Sequence, residues 1–335
     1  MDRTPKIEDA LTALMSLLQP DIEACNRVIM ARTDSLVALI PQVAAHLIAA
    51  GVKRLPPLLA MAAARLCGYD PAGGRHVVLA ACVEFIHTAS SLHDDVVDES
   101  ALRRGQASAN AVFGNQASVL VGDFIFARAY QLMVTDGALP VIAILSGANA
   151  TIAEGEVLQL MTQNDISTTE AQYLEVIHRK TAALFAAAAR LGAVVAGRPA
   201  SEEEALDAYG RNLGVAFQLV DDALDYSADP AVLGKTVGND FREGKISLPV
   251  LVAIASADAT ERAFWKRTLG EGEQGEGDFA EARRLITLHG ALEVTLSRAR
   301  AYGAAALAAL EPFADSAEKR AMRAVVEYCV EYRGR

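Results

Sequence analysis

The chain has 335 residues, 52% of them hydrophobic and only 6% aromatic, which is enough apolar material for one large core or two smaller ones. Alanine and leucine dominate and long alternating β-branched runs are absent, so helices packed on helices are favoured over sheets. A formal net charge of −11 argues against nucleic acid or anionic lipid as a partner; an anionic substrate must then be met by local cations or a metal.

The N-terminus, MDRTPKIEDA, is polar and reads as no signal peptide. Apolar residues recur at helical spacing almost throughout. Residues 6 to 50 are expected to form two or three helices ending at Gly51. Pro56 and Pro57 start the next helix, which runs to about Gly68. GYDPAGG is a turn, and a long apolar helix follows from about Arg75 to Asp98. The most apolar run, ALPVIAILSGANATIA, is interrupted by Pro140, Gly147 and Asn149 and is expected to be a buried helix rather than a membrane span. Two capping boxes, Ser167 with Glu170 and Ser201 with Glu204, open later helices. GEGEQGEGD, residues 270 to 278, reads as a mobile surface loop. Cys25, Cys67, Cys82 and Cys329 have no metal-like spacing and are expected to be small buried hydrophobes in a reducing, cytoplasmic compartment. The expectation is one all-α domain spanning residues 1–335, with about a dozen helices.

One pattern recurs at long range. DDVVD at 94–98 is echoed by DDALD at 221–225. Residues three and four apart share a helix face, so each cluster projects carboxylates from one side of a helix end, and the repulsion needs cations to offset it. Each cluster is approached by an apolar run, VEFIHTASSL or LGVAFQLV, which puts the carboxylates at the mouth of an apolar cavity. A single such cluster reads equally well as a solvated acidic face; two at the ends of apolar helices do not. Carboxylate oxygens without thiols or paired histidines suit a hard cation, Mg²⁺ above all, with a diphosphate completing its shell. Arg103 and Arg104, just beyond the first cluster, fit residual diphosphate charge.

Two DDxxD motifs, the first followed by ESALRRG and the second preceded by FQLV, resemble the trans-prenyltransferases, the polyprenyl or isoprenyl diphosphate synthases, over nearly the whole chain. The resemblance implies the isoprenoid synthase fold, a helical bundle around a central cavity, and the match of HTASSLHDD and EGEVLQL to the long-chain, octaprenyl to decaprenyl branch implies a long-chain product of the kind used for quinone side chains. It implies that Asp94, Asp95, Asp98, Asp221, Asp222 and Asp225 hold Mg²⁺ on the allylic diphosphate, farnesyl diphosphate being one such substrate. Arg103 would contact that diphosphate, and Arg104, Lys53 and His87 would bind isopentenyl diphosphate. Lys180, Thr181, Gln218 and Lys235 would line the allylic site, with Lys245 as a supporting cation. A homodimer is implied as well. His87 lies seven residues before Asp94 on the same face, whereas His93 reads as structural.

The implied chemistry is ionisation of the allylic C–O bond, attack by the alkene of isopentenyl diphosphate on the resulting cation, and loss of a proton. Chain length is expected to depend on the wall below the first cluster. Ala89 and Ser90 lie about 6 to 8 Å along the helix from Asp94, at about 1.5 Å per residue; both are small, and Ala89 is expected to face the tunnel more directly. Met133 and Met161 are candidates for its floor. One departure stands out: the family usually has GGKRLRP where this chain has GVKRLPP, so Val52 replaces a glycine and Pro56 an arginine that grips isopentenyl diphosphate. Arg54 is the nearest compensating cation. Two alternatives stay open, a non-catalytic subunit of a heteromeric synthase, favoured by Pro56, and a class I terpene cyclase, which shares the first motif.

Overall fold

The computed structural model describes residues 5–49, 54–103, 106–227 and 237–331. Lys53, Arg104 and Lys235, together with Val52, lie outside the described residues. In chain order the helices are α1 (Pro5–Leu17), α2 (Gln19–Thr33), α3 (Leu39–Ala49), α4 (Leu55–Leu66), α5 (Arg75–Val97), α6 (Ala109–Phe113), α7 (Asn115–Asp136), α8 (Leu139–Thr162), α9 (Glu170–Ile177), α10 (Ala183–Val195) and α11 (Ala200–Ser227). They continue as α12 (Asn239–Arg242), α13 (Leu248–Ser256), α14 (Ala259–Trp265), α15 (Asp278–Leu288), α16 (Ala291–Ala309) and α17 (Ala317–Glu331). The strands are two residues long, Leu102–Arg103 pairing antiparallel with Gln106–Ala107. The all-α class expected from composition is therefore observed.

The helix starts follow local chemistry. Proline at the first positions of α4 and α8 gives up an N–H that would have no partner there. Asp70 caps the short turn at Pro71–Gly73 through the amide of Ala72. The two expected capping boxes are displaced. Thr169, not Ser167, caps α9 with Gln172 as its reciprocal partner, while Ser167 bonds to Asp165. Helix α11 already begins at Ala200, so Ser201 lies inside it. Both Ser-x-x-Glu matches were near a helix start, and the competing acceptors next to them decided the register.

Alanine-rich α10 sits centrally and packs on α4, α8 and α11. A Cβ at Gly192 would collide with Ala63 and the backbone of Ala64, so α10 and α4 touch almost backbone to backbone. The largest core cluster joins α1, α2, α4, α5, α7 and α10, while Tyr226, Phe241 and Trp265 anchor a second one around α13 to α15. All four cysteines are buried as expected and none is in a disulfide, and burial pushes the Cys25, Cys67 and Cys82 thiols up to about 12. The apolar run at the start of α8 is not a buried helix. Only the stripe Val141, Leu145, Ala148, Ile152 and Gly155 is buried, and Leu139, Val157, Leu160 and Met161 are exposed. The loop after Gly270 is tied down: Arg267 bonds to Asp278 and the Glu273 carbonyl, and Gln274 donates to the carbonyls of Phe241 and Thr268.

Candidate active site

Helix α5 ends where its acidic cluster begins to cost most. Its last turn carries no basic residue, and the carboxylates stand at the negative end of the helix dipole. The chain then breaks sharply. The amide of Ser100 bonds to the Asp95 carbonyl at 2.9 Å and that of Glu99 to the Val96 carbonyl, with Glu99 at φ 49°. This closure normally places glycine at the left-handed position; a glutamate there costs roughly 1 kcal/mol. The turn brings Arg103 back over the helix. Its Nη1 donates to Asp95 Oδ1 at 2.7 Å and its Nη2 to Ser91 Oγ at 2.9 Å. Asp98 accepts from Lys245 Nζ at 2.9 Å.

The end of α11 also lacks a basic last turn, but its carboxylates meet different partners. Asp222 accepts from Tyr173 Oη at 2.5 Å and from Gln218 Nε2 at 2.7 Å. Gln218 in turn accepts from Thr181 Oγ1 at 3.0 Å. Asp225 accepts the amides of Gly238, Asn239 and Asp240 at 3.1, 3.3 and 3.0 Å, so it holds the start of α12. Asp221 lines the cavity shared with the first cluster.

Between α9 and α10 the chain forms one turn of π-helix, His178–Ala182. A bulge of this kind shifts the side chains it carries off the regular helical register, and here Lys180 and Thr181 line the cavity. Helix α8 approaches so closely that a Cβ at Gly155 would lie 2.6 Å from the Lys180 amide. The next residue, Glu156, accepts from Lys180 Nζ at 2.6 Å. Lys180, Thr181 and Gln218 are thus brought together as expected.

These groups surround a cavity of about 410 Å³ whose polar mouth includes Asp94, Asp95, Arg103, Lys180 and Asp221, and whose wall turns apolar at Ile152, Leu184, Phe185 and Phe217. A neighbouring space of about 170 Å³ continues past Asp222, Asp240 and Lys245. Burial raises Asp95, and the charges of Asp94 and Asp98 add to it against the opposing pull of Arg103. Burial lifts Asp222 to about 6 despite the bonds from Tyr173 and Gln218. It lifts Glu156 to about 7, with the charge of Asp94 next in importance, and Asp240 goes well above the carboxylate range through burial and its neighbours Asp225 and Asp222. Burial would pull Lys245 down, but Asp240, Asp98 and Glu243 outweigh it and push it up. Asp95 Oδ2 and Glu156 Oε1 are buried without a hydrogen-bond partner. Crowded, proton-hungry carboxylates of this kind fit a hard divalent cation. Among the described residues no group of three or more His, Cys, Asp or Glu side chains is already arranged as a metal site.

The remaining expected residues divide. His87 lines the cavity beside Leu55 and Pro56. Arg54 does not; it pairs with Glu84 at 3.1 Å and with Asn26 at 3.0 Å. His93 is structural as expected, against the Val119 carbonyl and the Phe126 ring. Ser90 is on the cavity wall, whereas Ala89 is fully buried in the main core cluster and absent from that wall. Of the two small residues expected below the first cluster, Ser90 is therefore on this wall, and Ala89, expected to face it more directly, points about 100° away around the helix. Met133 is buried on α7, but Met161 is 73% exposed and is no tunnel floor. Glu84, Glu156, Tyr173 and Asp240 were missed. Glu156 left a trace in the EGEVLQL likeness and Glu84 stands in the VEFIHTASSL run, but Arg54 meets Glu84, and Tyr173 meets Asp222, from far away in sequence.

A cationic and carboxylate mouth above an apolar pocket defines a site for a diphosphate that carries a hydrocarbon tail. Comparisons with known proteins agree. The polyprenyl synthetase family profile matches residues 37–286. The chain is 46% identical to the octaprenyl diphosphate synthase of Escherichia coli over 321 residues, 96% of this chain and 98% of that one. Among solved structures it resembles a polyprenyl synthase from Caulobacter crescentus, complexed with calcium and isoprenyl diphosphate, at 51% identity and a TM-score of 0.93 over 96% of this chain and 98% of that one. It also resembles a decaprenyl diphosphate synthase from Rhodobacter capsulatus at 50% identity and a TM-score of 0.91, with the same coverage. The chain belongs to the polyprenyl synthetase family, and the resemblance read from its two DDxxD motifs is borne out.

Proposed function

We propose that the protein condenses isopentenyl diphosphate with an allylic diphosphate such as farnesyl diphosphate, repeatedly, to make a long-chain all-trans polyprenyl diphosphate for quinone side chains. The octaprenyl and decaprenyl names of its relatives support the product class. The observation that carries the reading is the single cavity with carboxylates of α5 and α11 facing each other across its mouth and an apolar wall beneath. On this reading the six aspartates would hold Mg²⁺, with Asp94, Asp95 and Asp221 on the cavity itself. Asp95, Asp98, Asp222 and Asp225 also hold Arg103, Lys245, Gln218 with Tyr173, and the start of α12. Bound Mg²⁺ supplies charge neutralisation at the departing diphosphate. Arg103 and Lys180 exchange their carboxylate partners for diphosphate oxygens, which places charge stabilisation at the leaving group. Thr181 orients Gln218, whose amide dipole borders the space where the allylic cation forms. Phe185, Phe217 and Leu184 exclude the water that would quench it.

The whole chain is proposed to act as one cytoplasmic domain, in keeping with four cysteines of which none is in a disulfide. A homodimer is supported by the apolar faces that α7 and α8 leave exposed, with Leu120, Val134, Leu139, Val157, Leu160 and Met161 all more than half exposed; a second copy of the chain covers them. By length and composition alone both helices are also long and apolar enough to cross a membrane, and monodisperse dimers in detergent-free sedimentation decide for the interface. The test of function is incubation of the purified chain with farnesyl diphosphate, isopentenyl diphosphate and Mg²⁺, with products resolved by length. Long-chain product is expected. A chain that is inert alone but active when mixed with a second subunit would favour the non-catalytic reading that Pro56 supports.

A further inference from the structure

Glu84 lies on α5 three residues before His87, is 6% exposed, and is not part of the cavity wall. A buried carboxylate requires partners. Glu84 has Arg54 Nε 3.1 Å from Oε1, His87 Nδ1 3.5 Å from Oε2, and Thr88 Oγ1 donating to Oε1 at 3.5 Å. Arg54 is held from its other side by Asn26, whose Oδ1 accepts from Nη1. The guanidinium therefore borders a separate groove with Cys25, Ile29 and Met61, while Pro56, two residues on, faces the cavity. Arg54 does not replace the arginine missing at position 56. His87, on the cavity side of Glu84, has Nδ1 engaged, which leaves Nε2 as the nitrogen for a ligand.

We propose that Glu84 is the positioning residue of the isopentenyl diphosphate subsite, drawing Arg54 out of the cavity and fixing the His87 ring so that Nε2 is presented to the diphosphate. A carboxylate behind a histidine sets ring orientation in the same way around metals. With proline at position 56, the subsite depends on how well His87 is aimed. The inference rests on the proposed function and names what aims one of its substrate-binding groups.

The test is binding and turnover by the full-length chain with Glu84→Gln. Calorimetry with isopentenyl diphosphate is expected to show Kd weakened roughly tenfold, the size of one charge-assisted contact, with a matching rise in its KM. The kcat, and the KM for farnesyl diphosphate, should stay within about twofold. In a His87→Ala background, Glu84→Gln should add less than about twofold, because the two residues act through one contact. Should Glu84→Gln fail to fold, Glu84→Asp, which keeps the charge but draws it back by one methylene, is read by the same criteria. Unchanged binding in the variant, or effects of Glu84 and His87 that multiply, overturns the inference. Wild-type protein that binds isopentenyl diphosphate but forms no product overturns the proposed function alone.

Discussion

Helices α5 and α11 carry the same acidic spacing and the same exposure to a helix C-terminus, yet they solve the resulting repulsion differently. The α5 cluster is held by cations, Arg103 on Asp95 and Lys245 on Asp98. On α11, Asp222 accepts from the neutral donors Tyr173 and Gln218, and Asp225 accepts three backbone amides. Below the aspartates they differ again. Ser90 lies four residues before Asp94 and Phe217 four before Asp221, and both line the cavity. The α5 wall is open and the α11 wall is blocked by a ring, so a growing hydrocarbon has room along α5. On the proposed function, one motif written twice gives an adjustable half, whose cations pass to a substrate, and a fixed half, whose donors preorganise the loop and the amide dipole.

The largest effect should come from the carboxylates on the cavity itself. Asp94→Asn and Asp221→Asn are each expected to lower kcat by roughly a hundredfold or more, as for loss of a major charge-stabilising group, with an unchanged circular dichroism spectrum. Turnover near normal in both would break the two-helix site. The walls give the next test. Ser90→Phe should shorten the product, read by reversed-phase chromatography. Ala89→Phe should instead overpack the core and cost about 1 to 3 kcal/mol of stability. Shortening by Ala89→Phe alone would return the tunnel to the other face of α5.

A smaller effect separates the members of the second motif. Asp225→Asn should destabilise the protein by about 1.5 to 3 kcal/mol, since a charged acceptor of three amides is lost. Asp222→Asn should cost the metal-free protein less, because burial already disfavours its charge and an amide oxygen still accepts from Tyr173 or Gln218. Equal melting temperatures for the two variants would show that the two carboxylates are held alike. The smallest effect is in pH dependence. Asp222 and Glu156 titrate in the folded state at about 6 and about 7, above their ordinary values, so the folded protein binds their protons more tightly than the unfolded chain does. Stability of the metal-free protein should therefore fall as pH rises from about 4 to about 7. Calorimetric scans across that range should show a Tm drop of a few degrees, abolished by Mg²⁺ with inorganic diphosphate. A Tm that rises with pH would show that these carboxylates are already neutralised by fixed cations.

The sequence by itself determined the helical class, the long helix to Asp98, the buried cysteines and the pairing of two acidic clusters, because helical periodicity and i, i+4 spacing are local properties of a chain. It also showed the family through motifs kept in order. The tertiary structure set the partners of these carboxylates, since Arg103 reaches Asp95 and Tyr173 reaches Asp222 from other elements. It decided that Ser90 rather than Ala89 reaches the cavity, because the rotation of α5 about its axis is set by packing on its neighbours. It exposed half of an apolar helix that composition alone would bury. Glu156 and Tyr173 became visible only there, meeting Lys180 and Asp222 across helix interfaces, and so did the pairing of Glu84 with Arg54, all at sequence separations no local pattern can signal.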